Sequence, residues 1–139
     1  SGGYFLYSIL QIFILQGVIM AKTVLIVEDY ADTRNMMRYL LQGFGYTVIE
    51  AADGQEAVEK ARQTPPDLIL MDLSLPVMDG FTATQTIRKF DGFGKVPIIA
   101  VTAYGNSFYK RAIEAGCDDL INKPLDFDKL EPILEQYLA

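Results

Sequence analysis

The sequence contains no histidine, so it offers no imidazole metal ligand, no histidine general base and no residue that could itself carry a phosphohistidine. Any donor of that kind must be another molecule. There is one cysteine, Cys117; an intramolecular disulfide is therefore excluded, and nothing near it in sequence supplies the cationic setting that lowers a thiol pKa. It reads as a small, buried apolar residue. Basic residues are in deficit, 12 against 18 acidic, for a formal net charge of −6. That balance repels phosphate backbones and anionic lipid surfaces, so direct nucleic-acid binding is not expected.

Charge is absent altogether from residues 1–21, and Tyr4 to Met20 is almost continuously apolar, interrupted by Ser8, Gln11, Gln16 and Gly17. The stretch lacks the basic start and small-residue cleavage site of a secretory signal, and hydrocarbon would penalise its two glutamines. Neither a signal peptide nor a membrane association is expected, and a cytoplasmic location follows. Met20-Ala21-Lys22 resembles a natural start and Ser1-Gly2-Gly3 a cloning remnant, so residues 1–21 are expected to be vector-derived or upstream sequence. An apolar run of this size needs cover. Self-association through residues 4–20, giving a homo-oligomer, is the expectation.

From Lys22 onward, short apolar runs alternate five times with amphipathic stretches, the pattern of strand-helix repeats around a parallel sheet. The runs are Val24 to Val27, Thr47 to Ile49, Leu68 to Met71, Ile98 to Val101 and Asp119 to Ile121. Three are apolar throughout, as strands covered by helices on both faces should be. Helical spacing occupies the segments near 31–43, 54–63, 80–90, 106–115 and 126–138; Met37, Leu40 and Leu41, for example, share one helix face. Asp53, Asp79 and Asp126 stand at N-cap positions, while Gly45 and Gly116 follow helices where a positive φ is wanted. Pro132 predicts a kink or a late start in the last helix. The expected organisation is one α/β domain over residues 22–139, with no second domain expected after Leu138.

Ligand sites of open parallel sheets lie at the carboxyl ends of the strands. Strand one ends in Glu28-Asp29, strand three in Asp72, strand four in Thr102 and strand five in Lys123-Pro124. Carboxylates packed a few ångströms apart repel by roughly 3 to 4 kcal/mol per pair at an effective dielectric near 20. A divalent cation relieves that repulsion, and an oxygen-only, water-accessible donor set suits Mg²⁺. Asp72 is then placed to attack phosphorus in line, with Lys123 and the metal neutralising phosphoryl oxygens and the Thr102 hydroxyl donating to one of them. Taken singly, the motifs are weak, since acids before helices serve as caps and threonine at a strand end is ordinary β chemistry.

Together, Val27-Glu28-Asp29, the segment Met71-Asp72-Leu73-Ser74-Leu75-Pro76-Val77-Met78-Asp79-Gly80, Thr102-Ala103 and Lys123-Pro124 resemble the receiver domains of two-component response regulators. The likeness spans residues 22–139. It implies a doubly wound, five-stranded flavodoxin-like sheet of order 2-1-3-4-5, a cis Lys123-Pro124 bond, and Mg²⁺-dependent phosphorylation by a histidine kinase or phosphotransfer protein. It makes Asp72 the phosphoacceptor, Asp29, Asp72 and the Ser74 carbonyl direct metal ligands, Glu28 a ligand through water, Thr102 the switch hydroxyl and Lys123 the partner of the phosphoryl group. Two positions depart from the family: Glu28 replaces the more usual aspartate, and Leu120 replaces the usual switch aromatic. Tyr104 sits on the loop beside the site, where it bears on water access or a partner surface.

The function that follows is a signalling switch rather than an enzyme, with output through contacts to a downstream effector protein. An intermediate phosphate carrier in a relay differs from it only in partner and lifetime. A pure interaction module is a third reading. A hydrolase would need a second acid or base near the nucleophile, and two residues after Asp72 stands Ser74.

Overall fold

Apolar runs that do not alternate become strands when both of their faces can be covered, and three of the runs here do so completely. In the computed structural model, which describes residues 21–139 and, ahead of them, Gly3 and Ser8, β3 (Leu68–Asp72) and β4 (Ile98–Thr102) are buried along their whole length. In β1 (Thr23–Val27) only the first residue is less than buried. The flanking strands β2 (Thr47–Ala51) and β5 (Asp119–Asn122) are only partly covered. All pairings are parallel and the order is β2-β1-β3-β4-β5. Between the strands run α1 (Ala31–Gly43), α2 (Gly54–Gln63), α3 (Gly80–Arg88) and α4 (Gly105–Ala115), and α5 (Phe127–Leu138) closes the chain.

The period of two divides the strand side chains between two cores. Leu25, Val27, Ile69, Met71, Ile98 and Ala100 face α2, α3 and α4, where Ala57, Ala61, Ala83, Ile87 and Ala112 meet them. Val24, Ile26, Leu68, Leu70, Ile99 and Val101 face α1 and α5, against Met37, Leu41, Leu130 and Leu134. Each large aliphatic side chain enclosed in this way contributes about 1.5–3 kcal/mol relative to exposure.

The three predicted caps form. Asp53, Asp79 and Asp126 accept from the backbone N–H of Glu56 (2.7 Å), Thr82 (2.8 Å) and Lys129 (3.0 Å). α1 and α4 begin instead on Tyr30 and Tyr104, whose side chains make no cap bond. Gly45 and Gly116 both have positive φ. Helix α5 passes through Pro132 from Phe127 to Leu138, so no late start occurs. The proline deletes one donor in a helix whose Leu130 and Leu134 are already anchored in the core.

Gly80 positions the end of β3. A Cβ there would lie 2.1 Å from the Asp72 carbonyl oxygen, so only glycine lets the first turn of α3 rest on the backbone that carries Asp72. Gly54 acts similarly from α2, where a Cβ would lie 2.0 Å from the Met78 carbonyl oxygen. Two helix starts thereby hold the β3–α3 loop from either side. No helix among the described residues is long and apolar enough to cross a membrane. The expected self-association through residues 4–20 falls, Ser8 apart, outside the described residues.

Candidate functional site

Because β2 and β3 lie on opposite sides of β1, the strand order reverses there and opens a crevice at the carboxyl ends of β1 and β3. Glu28 and Asp29 follow β1 and Asp72 closes β3. One carboxylate oxygen from each can be chosen so that all three lie within 4.8 Å of one another. Glu28 and Asp72 are 1% and 4% exposed, whereas Asp29 is open to solvent. From the end of β5, Lys123 Nζ donates at 2.9 Å to Glu28 Oε1 and at 2.9 Å to Asp72 Oδ2. The other oxygen of Asp72, Oδ1, accepts the Ser74 backbone N–H at 2.9 Å. Thr102, buried at the end of β4, accepts the Tyr104 N–H on its Oγ1 at 3.0 Å. That bond leaves the hydroxyl proton free for an acceptor in the crevice. The Lys123-Pro124 bond is cis.

The electrostatics are unbalanced. Three carboxyl groups face one ammonium, a formal −2 if all were charged. Burial, reinforced by the facing carboxyl of Asp72, pushes Glu28 up to about 7 against the pull of Lys123. Burial alone would lower Lys123, but its bonds to Glu28 and Asp72 outweigh that and raise it above the ordinary lysine value. Glu28 Oε2 is buried without a hydrogen-bond partner. An orphaned buried oxygen, three carboxylates facing one ammonium and an all-oxygen donor set fit a hard divalent cation.

Residues 24–135 match the family model of the response regulator receiver domain. This chain belongs to that family. It is 36% identical over 121 residues to the polar-differentiation response regulator DivK of Brucella anthropi, covering 86% of this chain and 98% of that protein. It is also 36% identical, with a TM-score of 0.79, to the receiver domain of sensor histidine kinase PA1611 from Pseudomonas aeruginosa, a structure with a magnesium ion coordinated in the active-site cleft. That match covers 84% of this chain and 97% of the other. A third neighbour is the Saccharomyces cerevisiae co-crystal of the phosphotransfer protein Ypd1 with the receiver domain of its downstream regulator Ssk1. There the identity is 30%, the TM-score 0.78, and the coverage 84% of this chain and 88% of that one. Receiver domains are two-component signalling proteins and not classical enzymes, and in that complex one of them engages a histidine phosphotransfer protein.

Within this receiver domain, Leu120 lies partly buried against the core on the α2–α4 side. Tyr104, 60% exposed, sets its ring edge-on to Phe108 at 5.6 Å, and Phe108 meets Phe81 at 5.4 Å. Cys117 is buried as expected, 3.8 Å from the Thr84 hydroxyl. The cation missing from its sequence neighbourhood arrives through the fold as Arg88, yet burial dominates and pushes the thiol up to about 11.

One residue at the site was not singled out from sequence. Arg34, in the first turns of α1, donates from Nη1 to the Glu28 carbonyl at 2.9 Å and reaches the Asp29 carbonyl at 3.5 Å. A cation near a helix N-terminus opposes the macrodipole, and that misfit was the available signal.

Proposed function

We propose that this chain is a phosphorylation-dependent signalling switch in which Asp72 accepts a phosphoryl group from a histidine kinase or phosphotransfer protein. The observation that carries the reading is Lys123 Nζ held between Glu28 Oε1 and Asp72 Oδ2, because it sets a cation on the acid buried at the end of the central strand. These 139 residues include no histidine, so the donor imidazole lies outside them.

Asp72, fixed by the Ser74 N–H and by Lys123, attacks phosphorus in line. An O–P bond forms as the N–P bond to the donor histidine breaks, and that electron pair returns to the imidazole nitrogen. Lys123 then exchanges its carboxylate contacts for phosphoryl oxygens, a charge-assisted bond of the stronger kind. Thr102 turns its free hydroxyl proton to another of those oxygens. Asp29, Asp72 and the Ser74 carbonyl would hold Mg²⁺, with Glu28 reaching it through water, and the ion would neutralise charge on the transferring group. The resulting rearrangement of the β4–α4 loop presents a changed surface to a downstream effector protein.

Incubation with acetyl phosphate and Mg²⁺ tests this reading. One acid-stable, base-labile phosphoryl group is expected on the chain and none on Asp72→Asn; labelling that persists in the variant overturns the assignment.

A further inference from the structure

The acid pair after β1 leads into a helix that starts without a side-chain cap. Glu28 N–H bonds the Ala51 carbonyl at 3.0 Å, but α1 begins on Tyr30 without a side-chain cap, unlike α2, α3 and α5. The carbonyls of Glu28 and Asp29 are gathered instead by the Arg34 guanidinium. That guanidinium is itself held from the edge strand: Arg34 Nε lies 3.8 Å from Glu50 Oε1, and Arg38 Nη1 fixes the same oxygen at 3.0 Å. Lys60 donates to the Glu50 backbone carbonyl from the other side. Glu50 pairs in register with Ile26, two residues before Glu28.

From this geometry we infer that Arg34, oriented by Glu50, is the positioning residue that fixes the Glu28-Asp29 loop and thereby sets the affinity of the acidic crevice for its divalent cation. The inference rests on the proposed function above. Arg34 touches neither metal nor phosphoryl group and acts through the backbone of the two acids. Partners that orient metal ligands typically contribute 10–100-fold to metal affinity. The sign of the effect separates positioning from field: removing a positive charge near three carboxylates would by itself strengthen cation binding, so weakened binding can only come from lost positioning. Glu50 gives a second discrimination. If it works through Arg34, its replacement matters only while Arg34 is present.

Calorimetric Mg²⁺ titration of the full chain, with the thermal midpoint of the metal-free protein recorded in parallel, is the test. Arg34→Gln is expected to bind Mg²⁺ about tenfold more weakly with its metal-free midpoint nearly unchanged. Arg34→Lys, which keeps the charge but lacks the planar fork, should recover only part of the affinity. Glu50→Gln should weaken binding in the parent and add nothing in the Arg34→Gln background. Parent-like affinity in both Arg34 variants, or a loss that merely tracks a fall in the metal-free midpoint, overturns the inference. Additive losses overturn the role given to Glu50. A parent chain that fails to bind Mg²⁺ overturns the metal reading itself, and this inference with it.

Discussion

Lys123 serves two carboxylates at once, and its removal separates metal binding from phosphoryl recognition. Lys123→Ala should still bind Mg²⁺, with affinity equal to or above the parent's because a competing cation is gone, yet it should be labelled by acetyl phosphate poorly. Parallel calorimetry and labelling check this, and loss of Mg²⁺ binding would place the lysine on the ion's side of the site. Cys117 carries a prediction of opposite character. With its thiol pushed up to about 11 from an ordinary 9, only about one thiol in a thousand is ionised at pH 8. Ellman's reagent should leave the folded chain unmodified there and react on denaturation. The raised value also means that the thiol favours the fold fully below about pH 9 and loses that contribution as pH rises through 11. The residues that end strands were legible in the sequence because strand ends are where apolar runs stop, and Glu28, Asp29, Asp72, Thr102 and Lys123 all stand there. Arg34 was not, because its partners are backbone carbonyls, which no pattern of side chains records.

At the scale of elements, α3 depends on a close approach at its first residue. Gly80→Ala would drive a methyl against the Asp72 carbonyl, so the β3–α3 loop must shift; a lower thermal midpoint and slower labelling by acetyl phosphate are expected together. Phe81→Ala, one residue on, removes a buried ring lying under the Arg111 guanidinium at 4.0 Å, and chemical denaturation should show a loss of about 3–5 kcal/mol. The five strands and five helices of residues 22–139 were readable from alternation and spacing, with ends displaced by up to two residues. β2 ran furthest past its expected end, from Ile49 to Ala51. An edge strand tolerates charge on its open side, and there Glu50 meets Arg34 and Arg38, so the acid that seemed to end the strand belongs to it. Pro132 does not delay the start of the last helix, since tertiary anchoring of Leu130 and Leu134 outweighs one missing backbone bond.

Across the whole molecule, the buried strands, the loops braced by glycine and the ammonium between two acids converge on one acidic crevice at one end of the sheet. We propose that the switch chemistry does not need the apolar residues ahead of Lys22. A chain beginning at Met20 should therefore accept phosphate as the full chain does, while light scattering should find the full chain in the larger assembly; a monomeric full chain, or truncation that abolishes labelling, contradicts this division. Phosphoryl transfer between proteins tests Asp72 as the acceptor. A histidine phosphotransfer protein carrying a labelled phosphoryl group is mixed with the full chain and Mg²⁺, and the labelled peptide is mapped. The label should leave the donor's histidine and arrive on Asp72 alone; label that stays on the donor across a panel of such proteins, or that settles on any other residue, contradicts the account.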